Sequence, residues 1–437
     1  MLLFSTHITP RLNYVLDFFG KELFDDASAI RVTDDKETFL ATHGPRINYS
    51  NEVVPGAFTV RPAGLLFETG IRPLEVPCAR SAGQPVLFPT HGDLSFDVFA
   101  AAFYLLSRYE EYLPHPKDEY GRFPHSHSLA FREGFLDQPV INNWLMDLRR
   151  ALGARFPDLV FRYAVFKFIP TYDIDSAYSY LYKGWLRNLG GLLKSLARGQ
   201  WKKAFDRLET LRGHRKDPFD VYEWLDSLHL YCRMRPYYFF LAAARIQGVD
   251  RNIPISGPGL QDLIRYHATG SRVGIHPSWQ SGDDENLLKA EIEWMSYVSG
   301  QKMVRSRQHY IRFLLPTTYR LLIRYGVEQD FSMGYGSING FRASVASSFY
   351  WYDLGKETTT PLRIFPYCFM DANSYYEQGQ TPAATLAELM GYYRRIRQVN
   401  GLMVTIWHNS ILGRDPEFAG WRGVYETFLK EEVFWDM

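Results

Sequence analysis

YAVFKFIPTYDID (163–175) reads as a buried strand that ends in charge: apolar and aromatic residues run to Tyr172, and Asp173 and Asp175 close it. Residues two apart on an extended chain share a face, so both carboxylates point to one side. The same construction recurs downstream. RPYYFFLAA (235–243), SRVGIHPSW (271–279), GVEQDFS (326–332), LRIFPYCFMD (362–371) and GLMVTIWHN (401–409) are short apolar runs, and four of them end at His276, Asp330, Asp371 and His408. Helical stretches such as ENLLKAEIEWMSYVSG (285–300) and PAATLAELMGYYRRIRQVNG (382–401) alternate with them. That alternation predicts a parallel sheet, open or closed into a barrel. In such a sheet the C-terminal strand ends open on one face, where active sites form.

Outward from this core, the first 160 residues have a different rhythm. Strand-like pieces with Pro/Gly punctuation, FTVRPAGLLFE (58–68) and QPVLFPTH (84–91), precede two helical patterns, DVFAAAFYLLSRYEEYL (97–113) and VINNWLMDLRRALGARF (140–156). This predicts a smaller α+β domain over 1–160. Residues 181–217, with LLKSLARGQWKKAFDRLETLRGHRK at their centre, form a basic helical insertion after the first core strand. A solvated amphipathic excursion is its simplest reading, and attachment to an anionic partner or to the inner membrane face is the alternative.

Composition narrows the function classes. Lys+Arg 49 against Asp+Glu 48 leaves a net charge of +1, which argues against a nucleic-acid backbone as the main partner. The three cysteines, Cys78, Cys232 and Cys368, are far apart and form neither a disulfide framework nor a thiolate zinc site. The N-terminal stretch has no signal-peptide apolar core, and no run approaches the roughly 20 apolar residues of a membrane span. A cytoplasmic protein is the expectation. Nucleotide loops and GxSxG are missing, so neither a P-loop enzyme nor an α/β-type serine hydrolase is expected. The outstanding number is the aromatic fraction, 16%. Core packing accounts for much of it, yet Tyr and Trp also form flat binding walls.

Carboxylates and histidines gathered on one face suit metal-assisted hydrolysis. A divalent ion such as Zn²⁺ accepts His nitrogen and Asp oxygen and acidifies water, while a further carboxylate and a histidine move the protons.

Four segments carry a family resemblance. TYDID (171–175), GIHPSWQS (274–281), GFRAS (340–344) and TIWHN (405–409) resemble, in order and spread, the motifs of the NodB-homology polysaccharide deacetylases, carbohydrate esterase family 4. With DVFAAAFYLLSRYEEYL, DEYGRF, DPFDVY, SRQHYIRF and DFSMGY, the chain is similar to a bacterial subgroup with an extra N-terminal domain. The resemblance implies an irregular (β/α)7-type barrel over 161–437 and removal of N-acetyl or O-acetyl groups from a carbohydrate, polysaccharide or glycan precursor. It implies Asp173 as general base, oriented by Arg342; Asp175 and His276 as ligands of a divalent metal, Zn²⁺ first; and His408 as general acid, with Asp371 holding its imidazole. One position departs from the family pattern: Gln280 stands where a second metal-binding histidine is usual. His309, at the end of the strand expected after QKMVRSRQ, is the candidate replacement.

Further expectations attach to neighbouring residues. Asp330 fixes a loop or bonds Arg307. Tyr172, Trp279, Tyr335 and Trp407 are candidates for stacking on a sugar ring. Arg108, Glu110, Glu111, Asp118 and Arg122, with His125 and His127, read as an ion-pair network that packs the N-terminal domain against the site face. Two other functions compete: a metal-independent C–N hydrolase on the same fold, and a degenerate glycan-binding or scaffold protein.

Overall fold

The computed structural model describes residues 1–433; the last four residues of the expected second domain, 434–437, lie outside the described residues. The N-terminal part is built on β1 (Leu2–Ser5), β2 (Arg31–Thr33), β3 (Arg46–Tyr49) and β4 (Phe58–Thr59), in the order β2-β1-β3-β4. Every pairing in this sheet is parallel. The helix Pro10–Phe24 makes the first crossover. Thr9 caps it by accepting from the Leu12 amide, Pro10 sits in its first turn, and Leu12, Val15, Leu16, Phe19 and Leu23 turn inward at helical spacing. The layout is therefore parallel α/β rather than the expected α+β. Strands as short as LLFS and RINY carry too few alternations to be told from loop. β5 (Cys78–Ser81) and β6 (Gln84–Leu87) add an antiparallel hairpin.

The helical pattern at 97–113 forms a helix only over Val98–Leu106, all of it buried. Arg108 takes a left-handed conformation (φ 54°), which ends the helix before the short turn Tyr109–Tyr112. The second pattern folds as expected, over Val140–Arg155.

Nine strands form the main sheet: β7 (Lys167–Ile174), β8 (Tyr237–Leu241), β9 (Arg272–His276), β10 (Arg305–Ser306), β11 (Gln329–Asp330), β12 (Phe349–Asp353), β13 (Thr358–Ile364), β14 (Phe369–Met370) and β15 (Leu402–His408). Their order is β12-β13-β11-β10-β9-β8-β7-β15-β14. All neighbours are parallel except β12 and β13. Register brings the charged ends together: His408 faces Asp173 across β15 and β7, and His276 faces Leu241 across β9 and β8.

Of the two forms expected for this sheet, open or closed into an irregular barrel, strand pairing gives the open one. Among the described residues no strand pairing joins β14 to β12 or β13. LRIFPYCFMD, read as one strand, divides into β13 beside β11 and β14 beside β15. Pro366 lies in the break and has no N–H to give a ladder. The gap is crossed by residues 331–347, mostly buried without regular secondary structure. Their polar backbone is satisfied on both sides, by Phe341 N–H to Leu136 O (2.8 Å) and Ile141 N–H to Ser344 O (3.1 Å), and by Gly340 N–H to Cys368 O (2.9 Å) and Leu402 N–H to Ala346 O (2.7 Å).

The insertion between β7 and β8 is a helical hairpin, Trp185–Ala197 and Trp201–Leu211. No helix among the described residues is long and apolar enough to cross a membrane.

Candidate metal centre

The site stands at the C-terminal ends of β7, β9, β10 and β15, where the chain leaves each strand. Asp173 is the penultimate residue of β7 and Asp175 lies just past its end. His276 ends β9, His309 follows β10 in the turn His309–Ile311, and His408 ends β15. Six of the seven expected site residues thus meet in one place.

Asp175 is at the centre. Its carboxylate oxygens lie 3.2 Å from His276 Nε2 and 3.6 Å from both His309 Nε2 and His408 Nε2. The far nitrogen of each ring is occupied. His276 Nδ1 is 2.6 Å from the Arg307 carbonyl, which fixes Nδ1 as the protonated atom because a carbonyl can only accept. His309 Nδ1 donates to Asp250 Oδ1 at 2.8 Å. In the neutral ring Nε2 then carries a lone pair aimed at the Asp175 carboxylate, so acceptors face acceptors. A cation between them resolves this.

Asp175, His276 and His309 can each offer one ligand atom, all within 4.8 Å of one another. The oxygen–nitrogen separations bracket the edge of about 3.4 Å that a tetrahedron with 2.1 Å bonds requires. Asp175 Oδ1 is buried without a hydrogen bond, and the orienting Asp250 and backbone carbonyl are the outer partners that metal-bound histidines use. On these observations the trio fits a divalent ion.

Electrostatics concentrate here. Burial pushes the Asp175 carboxyl up, but the charge of His309 and the close approach of the His276 and His309 rings outweigh it and hold it well below the usual range. For His309 burial pulls down, while Asp175 and Asp250 together raise it to about 9. A divalent ion would replace that proton, so metal uptake is coupled to proton release.

Asp173 is buried beside this trio, with Oδ2 3.8 Å from His276 Nε2. Its other oxygen accepts from Arg307 Nη1 at 2.7 Å, and the same nitrogen donates to Thr171 Oγ1. Arg307, fully buried, lies over the Phe239 ring at 4.4 Å. His408 is held twice by Asp371: Nδ1 lies 2.6 Å from Oδ1, and the His408 backbone N–H donates to Oδ2 at 2.7 Å. Burial lowers the imidazole, but the Asp371 charge and hydrogen bond raise it to about 10.

Two expectations are corrected and one is narrowed. Arg342 does not hold Asp173; its guanidinium grips Glu111 bidentately at 2.8 and 2.6 Å, and Arg307 occupies the position beside Asp173. A local motif sets where the arginine stands in the chain but not which carboxylate it meets, and Glu111 arrives from the N-terminal part. Asp330 does not bond Arg307; it accepts from Ser306, Ser332 and Tyr319, and its bond from the Ser332 amide fits the other role expected for it, fixing a loop. Tyr172, Tyr335 and Trp407 are buried core, with Tyr172 stacked on Tyr238 at 4.9 Å and Trp407 against Tyr425 at 4.6 Å. Trp279 is half-buried under Arg312, 4.1 Å from its ring.

Gln280 has its own task. Its amide donates to Asp250 Oδ2 at 3.0 Å, so it steadies the carboxylate that orients His309. Asp250 and Arg307 were missed as site residues. Arg307 had a signal, since it lies in the expected strand end before His309. Asp250 sits in an irregular loop and had none.

A cavity of about 400 Å³ opens above the ligands, walled by Tyr310, Tyr376, Glu377 and, from the N-terminal part, Tyr120 and Arg122. The expected ion pairs form around that wall, and one of their members, Arg122, lines it. Arg108 pairs with Glu110 and Glu111, Glu111 with Arg342, and Arg122 with Asp118 while donating to the Tyr310 carbonyl at 3.0 Å. His125 bonds Ser337 and is part of no metal cluster among the described residues.

Residues 1–157 match the model described as "Family of unknown function (DUF7033)". No curated protein matches. Among solved structures, a probable polysaccharide deacetylase from Pseudomonas aeruginosa PAO1 is 13% identical, with a TM-score of 0.40 over 74% of this chain and 92% of that one. An allantoinase, Puue, is 11% identical, with a TM-score of 0.39 over 62% and 85%. A polysaccharide deacetylase from Bacillus cereus is 12% identical, with a TM-score of 0.31 over 62% and 89%.

Proposed function

We propose that the protein is a metal-dependent hydrolase that removes acetyl groups from an N-acetylated or O-acetylated carbohydrate. The observation that carries this reading is the arrangement around Asp175: two histidines aim their Nε2 atoms at it, a second aspartate stands beside it, and a carboxylate-held histidine faces it. The motif resemblance of TYDID, GIHPSWQS and TIWHN points to the same chemistry.

Asp175, His276 and His309 would hold the ion, Zn²⁺ by donor set. When bound, such an ion polarises a carbonyl oxygen and acidifies water. The remaining work falls to the chain. Asp173, one oxygen fixed by Arg307, keeps the other free to take the proton of the attacking water. Asp371 keeps His408 protonated, with Nε2 turned inward, ready to deliver a proton to the departing amine or alcohol. Water and acetyl ester or amide become acetate and the free hydroxyl or amine, and the proton taken at Asp173 balances the one given by His408. The cavity walls of half-buried Tyr120 and Tyr310 and exposed Tyr376 suit the flat faces of a sugar ring.

Acetate release measures this. Purified protein loaded with Zn²⁺ or Co²⁺ is expected to free acetate from N-acetylated oligosaccharides, and Asp173→Asn to abolish it. Stoichiometric absence of bound metal together with no acetate from any acetylated sugar rejects the reading. Activity that survives exhaustive chelation rejects its metal dependence.

A further inference from the structure

We infer that the helical hairpin inserted after β7 is an interfacial anchor for a membrane surface bearing anionic headgroups. Its two helices, Trp185–Ala197 and Trp201–Leu211, are folded with their polarity reversed. Their buried residues are Asn188, Ser195, Ala204 and Thr210. Trp185, Leu186, Leu189, Leu193, Trp201 and Phe205 face out, Trp185 and Trp201 at 72% and 68% exposure. In the first helix the outward residues recur at i, i+1, i+4 and i+8, one continuous stripe. A polar contact links the helices, Arg207 donating to Asn188 Oδ1 at 3.0 Å, and Arg207 also lies over the ring of Tyr180, which precedes the first helix. An apolar stripe left outside by design of the packing needs a cover.

Charge identifies the cover. Residues 183–216 hold ten of the chain's Lys and Arg and only two of its acids, Asp206 and Glu209, so the near-neutral total conceals a strongly basic hairpin on an acidic remainder. Arg187, Lys194, Arg198 and Lys202 make no ion pair among the described residues and flank the stripe. A second copy would bring the same positive charge against itself. A nucleic acid would match the charge but leave the leucines uncovered. An anionic bilayer interface takes both, with leucine and phenylalanine among the upper acyl chains, tryptophan at headgroup level and Lys/Arg on the phosphates.

The hairpin is held firmly enough to transmit a docking position. Asp217 closes its base by accepting from the amides of Ser179, Tyr180 and Leu181. Lys203 bridges to Asp415 and Glu417, in the loop that follows β15. It therefore stands on the rim to which the site opens.

Vesicle sedimentation with the full chain tests this without any sugar substrate. Vesicles of phosphatidylcholine with 30% phosphatidylglycerol are expected to bind it at least roughly tenfold better than phosphatidylcholine alone, and high salt to weaken the binding. Leu189→Glu with Leu193→Glu, and separately Lys194→Glu with Arg198→Glu, should each lose roughly tenfold while melting temperature and zinc content stay unchanged. Equal binding to both vesicle types, no binding, or undiminished binding by the variants overturns the inference. So does self-association through the hairpin in sedimentation velocity, or binding only to RNA.

Discussion

Arg307 Nη1 donates to Thr171 Oγ1 and to Asp173 Oδ1, each at 2.7 Å, from a side chain with no exposure to solvent. One buried guanidinium nitrogen thus sets the carboxylate at the end of β7 in position, while Nε anchors the group on the Phe331 carbonyl. Arg307→Lys keeps a charge but loses the planar group that makes these bonds together. The expected outcome is a fall in kcat of roughly 100-fold, the cost of a reacting group displaced by about 1 Å. Zinc content, read by elemental analysis, should stay stoichiometric, because Arg307 is no ligand. An unchanged kcat would show that Asp173 does not depend on it.

Asp250 should govern metal affinity from outside the ligand set. It holds His309 Nδ1 and is itself held by Gln280. Asp250→Asn is expected to weaken zinc binding by 10–100-fold in chelator competition, the usual effect of removing such an outer partner. Gln280→Ala should do the same more mildly. Gln280→His, despite restoring the residue type familiar from related motifs, should not tighten binding, since this side chain is directed at Asp250.

The Asp371 carboxylate should set the alkaline limit of activity. Its charge and hydrogen bond raise His408 to about 10 against the opposing effect of burial. With Asp371→Asn the largest raising contribution is removed, and although the charges of Asp175 and Asp173 remain, the imidazole loses its proton at lower pH. The alkaline limb of kcat should therefore move toward neutrality. A purely structural role for Asp371 would lower the rate at every pH and leave the limb in place.

Glu111 should make stability depend on acid. Burial raises its carboxyl, but the charges of Arg342 and Arg108 outweigh it and bring it to about 2. A depressed carboxyl contributes stability that is complete above its unfolded pKa and is lost as pH falls through the folded one. Against an ordinary value of 4.5 the difference amounts to about 3 kcal/mol, lost between about pH 4.5 and pH 2. Urea unfolding at both ends of that window should show this loss in the wild type and not in Glu111→Gln. At pH 7, Arg342→Met should cost about 3 kcal/mol, and Arg342→Met with Glu111→Leu much less, because the second change removes the stranded charge.

How much of this was readable from the chain differs by residue. Asp173, Asp175, His276 and His408 could be found because parallel strands must end on one face, and the periodic apolar runs mark those ends. His309 was reachable by the same logic. Arg342 was misassigned because its partner lies 231 positions away, and nothing local distinguishes a guanidinium that meets Asp173 from one that meets Glu111. Asp250 lacked any periodic context. An open sheet was one of the two forms readable from the sequence, but the continuity of LRIFPYCFMD hid its division, at Pro366, into β13 beside β11 and β14 beside β15. The aromatic fraction misled in part: three of the four rings suspected of binding sugar are packed inside, while Tyr310 and Tyr376 line the cavity.

The coil at 331–347 makes the two parts of the chain mechanically inseparable. Its backbone is hydrogen-bonded to Leu136 and Ile141 on one side and to Cys368 and Leu402 on the other, and it carries Arg342 to Glu111. A cut near residue 160 would strip those amides and carbonyls of their partners on both fragments, so neither piece would hold its shape alone. Heating should accordingly melt the whole molecule in one cooperative transition, and the width of the cleft mouth becomes a property of the joint rather than of either half.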